Sequence, residues 1–315
     1  MGKKPLSILL CTIIASTSSF CKKNENVAAD KKKRLDIVVS IAPQKYFVER
    51  IGGDFVNVIV LVKPEQNHET YEPTPQQLIL ISKSLVFFRI GVPFESTLIE
   101  KIASSNKGLK IIDTRDRVPL RKIESFQHME KVIHGSFTVP SGGETGINEH
   151  RHEGERDPHI WLDPLLVKIQ AETIYRELAE LDPGNGGFYR NNYEKFAKDL
   201  DGTDREIKKI FKPLKQRKFV VFHPAWGYFA DQYGLIQVPI EFEGKEPGQK
   251  ELAFIIDFMK KERIKVIFIQ KQFNMKSAVT IANAVGGKVI AIDHLSDDYL
   301  NNLISIAGII CANME

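Results

Sequence analysis

Two stretches of this 315-residue chain alternate apolar, β-branched runs with segments of helical period, and that alternation marks parallel βαβ units. The spacing predicts strands over 35–41, 56–62, 85–90 and 109–112, and a second set over 218–223, 235–240, 264–270 and 288–292. Helices are predicted over 43–51, 75–82 and 94–103 in the first set, and over 225–233, 249–261, 275–285 and 297–312 in the second. The pattern repeats, and a chain of this length can hold two cores of ordinary domain size. Two similar α/β lobes are expected, each with a mainly parallel sheet flanked by helices.

Between the halves lie two longer helical segments, 164–181 and 188–211, separated by the breaker run Asp182-Pro183-Gly184-Asn185-Gly186-Gly187. The second segment aligns Tyr189, Tyr193, Phe196, Leu200, Ile207 and Ile210 along one stripe. One long linker helix is therefore expected to join the lobes as a stiff pair with little hinge freedom. This divides the chain into an N-terminal lobe over 35–181, a linker helix over 182–214 and a C-terminal lobe over 215–315.

Ahead of the first strand, Lys3 and Lys4 precede an apolar stretch over 6–15 that is too short to span a membrane. Cys21 follows, and then the Lys-rich run 22–34, which lacks the apolar content needed to fold. Residues 1–21 read as an export signal with Cys21 as the lipidation candidate, and 22–34 as a flexible tether. Plain cleavage and secretion is the alternative, because Phe20 is bulkier than the small residue usual before a modified cysteine. The net charge of +4 is small for the length, so nucleic acid is not an expected partner. Loss of Cys11 with the signal and lipidation of Cys21 would leave Cys311 alone, which excludes a disulfide and a thiol-rich zinc cluster. A metal site would have to be built from His and carboxylates.

Residues 121–158 carry His128, His134, His150 and His152 among Gly, Ser, Glu and Arg, with no sustained apolar period. A mobile surface loop is expected. It reads either as a solvated insertion or as an auxiliary loop that collects metal weakly.

In open α/β sheets ligands sit beyond the carboxyl ends of strands. His223 ends the run Phe219-Val220-Val221-Phe222, and Asp293 ends Val289-Ile290-Ala291-Ile292. His159 stands in Asp157-Pro158-His159-Ile160-Trp161-Leu162-Asp163-Pro164, where proline stiffens both sides, and His68 and Glu69 precede Tyr71-Glu72-Pro73-Thr74-Pro75. Together these would supply two ligands from each lobe, a set suited by type to Zn²⁺ or Mn²⁺. Each alone has a structural reading, as a satisfied histidine or a helix cap. Asp157 and Asp163 are read as a turn former and a cap, and Glu243 as a solvated loop carboxylate.

Those segments, with Phe88-Arg89-Ile90-Gly91-Val92-Pro93-Phe94-Glu95 and Phe222-His223-Pro224-Ala225-Trp226-Gly227-Tyr228-Phe229, resemble the zinc and manganese group of periplasmic or surface-anchored substrate-binding proteins of ABC transporters. The resemblance runs from about residue 35 to the C-terminus. It implies two α/β lobes joined by one long helix, one metal ion in the cleft, and His159, His223 and Asp293 at ligand positions. The fourth ligand stays open. Most members have a histidine two residues before the Tyr of the Tyr-Glu-Pro motif, where this chain has Glu69, with His68 one residue earlier.

The expected role is capture of one divalent ion, Zn²⁺ favoured and Mn²⁺ the alternative. The expected partners are a permease and its ATPase complex, and a membrane through the lipid anchor, with the protein acting as a monomer. Two rival readings remain. A metal-dependent hydrolase would need an open coordination position and a general base, and no His-Glu-x-x-His or Gly-x-Ser-x-Gly motif occurs. A surface adhesin would be equally compatible with a lipid anchor.

Overall fold

The valine- and isoleucine-rich runs at the centre of each sheet form strands that are covered on both faces, as parallel sheets require. In the computed structural model, which describes residues 1–2, 34–103, 106–123, 156–241 and 246–314, β1 (Leu35–Ile41) is buried everywhere except at Asp36. The first sheet continues with β2 (Val56–Val62), β3 (Val86–Arg89) and β4 (Lys110–Asp113), in the order β2-β1-β3-β4. A second sheet of β5 (Lys218–Val221), β6 (Ile236–Pro239), β7 (Val266–Gln270) and β8 (Lys288–Ile292) repeats that order as β6-β5-β7-β8. Every pairing within these two sheets is parallel, with Val39 opposite both Val60 and Phe88 in the first sheet, and Val221 opposite both Pro239 and Phe268 in the second.

Helices α1 (Ala42–Gly52), α2 (Pro75–Lys83) and α3 (Phe94–Ala103) belong to the first lobe. Then come α4 (Pro164–Leu181) and the 26-residue α5 (Gly186–Phe211), followed by α6 (Gly227–Tyr233), α7 (Gln249–Lys261), α8 (Met275–Ala284) and α9 (Tyr299–Ala312). The fold is two similar α/β lobes joined by a long helix. The described residues from Arg34 onward form one compact unit. Among the described residues no helix is long and apolar enough to cross a membrane.

Several boundaries differ from those that periodicity predicts. The breaker run yields a 3₁₀ turn over Pro183–Asn185, after which α5 starts at Gly186. Glycines are tolerated there because the first-turn N–H groups have no intrahelical partner to lose. Strand β3 starts at Val86 and β5 stops at Val221, although Leu85 N and Phe222 N still bond to Asp36 O and Phe268 O. Ladder pairing, and not hydrophobicity, sets strand ends. Likewise α6 starts at Gly227 because Ala225 N turns back to His223 O at 2.8 Å.

One apolar cluster runs from Val38 and Phe88 of the first sheet through Phe196 and Leu200 of α5 to Phe268 and Tyr299 of the second half. Tyr299, which opens α9, meets Phe47 of α1 edge-on at 4.8 Å, so the last helix packs back on the first lobe. A smaller cluster around Val220, Met259 and Ile267 fills the outer part of the second lobe.

In each sheet the direction of strand addition reverses beside the first strand, between β1 and β3 and between β5 and β7. Such switch points open a crevice at the carboxyl edge. In the first lobe the crevice is occupied by the chain itself. Buried Glu95 accepts from Ile90 N at 2.8 Å, Gly91 N at 2.7 Å and Ser40 Oγ at 2.5 Å, with Arg89 Nε at 3.3 Å. Gly91 is required there, since its φ is +91° and a Cβ would stand 2.3 Å from Arg115 Nη1. The corresponding crevice of the second lobe holds His223.

Candidate metal centre

His223 directly follows the end of β5, and two backbone-directed bonds fix it: Gln270 Nε2, from the end of β7, donates to His223 O at 3.2 Å, as does Ala225 N at 2.8 Å. Its ring stacks on Phe273, centroids 4.6 Å apart. Its Nδ1 faces Glu241 Oε1 at 2.8 Å.

His159 is set by the segment between its two prolines. Asp157 Oδ1 accepts from His159 N at 3.0 Å and faces His159 Nδ1 at 2.8 Å. Asp157 is more than the turn former its position suggests, because it also orients the ring. Behind it Arg121 Nη1 lies 3.6 Å from Asp157 Oδ2, and Tyr228 OH donates to Asp157 O at 3.1 Å. Gly227 leaves room for this arrangement, since a Cβ there would fall 1.4 Å from Arg121 Nη1. Asp163 caps α4 by accepting from Leu165 N at 2.8 Å.

His68 and Glu69 sit in the connection between β2 and α2, and the Tyr71-Glu72-Pro73-Thr74-Pro75 run anchors that connection. Thr74 caps α2 in a capping box with Gln77, and Pro75 takes the first helical position. Gln77 Nε2 also donates to Leu61 O at 2.9 Å, and Tyr71 OH donates to Gln77 Oε1 at 2.7 Å. From the other lobe, Gln272 Nε2 donates to Pro64 O.

These three positions converge. His68 Nε2 lies 3.2 Å from His159 Nε2, His223 Nε2 lies 3.3 Å from His159 Nε2, and Glu69 Oε1 lies 3.2 Å from His68 Nε2 and 3.8 Å from His223 Nε2. All four donor atoms fall within 4.8 Å of one another. Zn–N and Zn–O bonds of about 2.0–2.2 Å in a tetrahedron place donors about 3.3–3.6 Å apart, so the spacing suits one small divalent ion. His68, His159 and His223 are buried, and the Glu69 side chain keeps 16% exposure.

The electrostatics favour a cation. Burial pushes the Glu69 carboxyl up, but its hydrogen bond to His68 and the electrostatic pull of the surrounding imidazole rings hold it at about 2. Burial, then His68 and His223, depress His159 well below its ordinary 6.5, which keeps that imidazole neutral and able to donate a lone pair. Burial raises Asp157 to about 7 against the opposing pull of Arg121. A divalent ion on the far side of His159 would favour its ionised form.

Asp293 is not in this group. Its Oδ1 accepts from Leu295 N at 2.9 Å, and its Oδ2 faces Lys271 Nζ at 3.7 Å. The side chain is engaged in the turn after β8 and faces Lys271. Cys21, His128, His134, His150, His152 and Glu243 lie outside the described residues. The roles of three further residues escape a sequence reading: Glu241 and Asp157, which face ring nitrogens, and buried His294, which packs beside His68 with centroids 5.3 Å apart. Position after β6 and β8 is the signal that could have drawn attention to Glu241 and His294.

Two α/β lobes of identical strand order, a long joining helix and a buried imidazole–carboxylate cluster between them fit the two-lobed class of metal-capturing binding proteins. The chain belongs to the family described as ZnuA, zinc-uptake complex component A, periplasmic, which matches residues 37–310. It is 26% identical over 270 residues to the high-affinity zinc uptake system protein ZnuA of Bacillus subtilis (strain 168), covering 85% of this chain and 81% of that one. It is 28% identical over 285 residues to the protein of the same description from Brucella abortus (strain 2308), covering 84% of each. A crystal structure of ZnuA superposes with a TM-score of 0.78 at 40% identity, covering 90% of this chain and all of the other.

Proposed function

We propose that this protein captures Zn²⁺ outside the cytoplasm and hands it to the permease and ATPase of an ABC importer, holding the ion with His68, Glu69, His159 and His223. The observation that carries the reading is the convergence of those four donor atoms within 4.8 Å of one another. His68 and Glu69, alternatives by sequence, both enter the shell. Three imidazoles among four clustered donors suit Zn²⁺, whereas Mn²⁺ favours oxygen donors and six-fold geometry. Asp293, occupied by Leu295 N and Lys271, serves the turn at the rim.

The role is binding, without chemical change of the cargo. Neutral imidazoles and an ionised carboxylate displace the ion's water, so affinity falls as acid protonates the donors. On the same reading, residues 35–181 and 215–315 act as the lobes and 182–214 as their link. Lipid at Cys21 and the tether over 22–34 hold a monomer at the membrane surface.

Chelator competition on the metal-stripped protein tests this. One Zn²⁺ is expected to bind per chain, far more tightly than Mn²⁺, and His223→Ala is expected to weaken Zn²⁺ by more than about 100-fold. His68→Ala and Glu69→Ala should each weaken it as well. Equal zinc affinity in the wild type and His223→Ala would remove the cleft from the account.

A further inference from the structure

Two of the three clustered imidazoles have a carboxylate on the ring nitrogen turned away from the shared centre: Asp157 on His159 Nδ1 and Glu241 on His223 Nδ1, each at 2.8 Å. Metal-binding histidines almost always carry such a partner, because it selects the tautomer and holds the ring plane. His68 differs. Its Nε2 points to Glu69 and His159, and its Nδ1 is buried with no hydrogen-bond partner among the described residues.

The side chain beside it has the complementary deficiency. His294 is 1% exposed, and neither Nδ1 nor Nε2 has a hydrogen-bond partner among the described residues. Three orphaned ring nitrogens thus occur on two neighbouring buried imidazoles, and buried polar atoms in this condition call for an explanation. The two centroids are 5.3 Å apart with the rings inclined at 56°. A direct N–H···N bond of about 2.9 Å between two imidazoles separates their centroids by roughly 5.2 Å, so the centroid spacing matches that of a bonded pair, although the ring nitrogens do not yet face one another and a ring must turn, or one water must bridge, to make the bond.

The position of His294 is firmly set. Its carbonyl accepts from Trp161 Nε1 at 2.7 Å and its ring lies along Trp161, inclined at 27°. On either side of it, Asp293 accepts from Leu295 N through its carboxylate and from Asn302 Nδ2 through its carbonyl. His294 therefore projects from the second lobe against a candidate ligand of the first.

We infer that His294 is a positioning residue for zinc capture: one of its ring nitrogens accepts the Nδ1 hydrogen of His68, directly or through one water, so that His68 presents Nε2 to the ion. This rests on the reading of His68, His159 and His223 as ligands. In it His294 takes the place that Asp157 and Glu241 fill for the other two rings. Because donor and acceptor come from different lobes, the bond also ties the orientation of a first-lobe ligand to the seating of the second lobe.

The test uses the full chain, stripped of metal and then titrated with Zn²⁺ or Co²⁺, as wild type and as His294→Leu, His294→Asn and His294→Gln. His294→Leu is expected to weaken Zn²⁺ about 10–100-fold, and at least one of the two amides, which can accept the same hydrogen, is expected to recover most of that loss. The visible spectrum of the Co²⁺ form should be the same in wild type and His294→Leu, since the ion's own donors do not change. Zinc affinity unchanged in His294→Leu, or a loss that neither amide restores, would overturn the inference. A Co²⁺ spectrum altered by His294→Leu would overturn it too, by making His294 a ligand. Should His294→Leu fail to fold, ¹⁵N spectra of the histidines in the zinc-loaded wild type decide. A solvent-protected hydrogen on His68 Nδ1 supports the inference, and a bare or freely exchanging Nδ1 sinks it. Failure of the ligand reading itself would show separately, as wild-type zinc affinity retained in His223→Ala.

Discussion

Glu241 and Asp157 stand behind different rings with different surroundings, so their loss should be felt differently. Glu241 faces His223 Nδ1, and Glu241→Ala is expected to lower zinc affinity about 10–100-fold. Asp157 also lies against the guanidinium of Arg121 and receives Tyr228 OH on its carbonyl. Asp157→Ala should therefore weaken zinc to a similar degree and also lower the apo melting temperature, because it removes the buried carboxylate from Arg121. Zinc competition and apo thermal unfolding, run on both variants, check the contrast. At this scale the sequence marked His159 and His223 well, since proline and a strand end announce a held side chain. It could not choose between His68 and Glu69, nor pair His68 with His159 across 91 positions. Such pairings exist only once the loops are folded.

Helix caps and packed stripes belong to the scale of the element. Asp163 caps α4 and is largely buried, and burial raises it from 3.8 to about 6 against the Leu165 N–H that it accepts. A carboxyl whose folded pKa is raised stabilises the fold fully below the unfolded value, and that contribution is lost as pH rises through the folded one. Between pH 3.8 and about 6 this group should cost up to about 3 kcal/mol. Asp163→Asn keeps an amide oxygen for the cap and should gain stability relative to wild type at pH 7 compared with pH 4, read from urea midpoints. On α5, buried Phe196 packs against Tyr46 and Phe47 with centroids 5.8 and 5.9 Å apart. Phe196→Ala should cost about 3–5 kcal/mol in the same measurement. Helix and strand identities were legible because periods of 3.6 and 2 are written locally. Their ends were less so, because the helix starts at Gly186 and Gly227 and the ladder pairing at Val86 and Val221 depend on neighbours.

Across the whole molecule the lobes are not separate bodies on a hinge. Helix α5, about 39 Å long at 26 residues, packs on α1, α4 and α9. One apolar cluster runs through both halves, and Trp161 Nε1 to His294 O is a bond between residues 133 positions apart. Zinc addition should therefore change the radius of gyration in small-angle scattering by less than about 1 Å, and a larger closure would contradict a stiff link. The amino-acid sequence by itself determined the two βαβ halves, the long helix between them and the stiffened positions of His159 and His223, because hydrophobic period, proline and strand ends act over a few neighbouring residues. Tertiary structure alone brought His68 and Glu69 into one cluster with them, turned Asp293 to Lys271 and Leu295 N, and set Asp157, Glu241 and His294 around the rings. The physical reason is that coordination is a matter of a few ångströms in three dimensions, and those distances are fixed only when the lobes, their loops and the helix that joins them pack together.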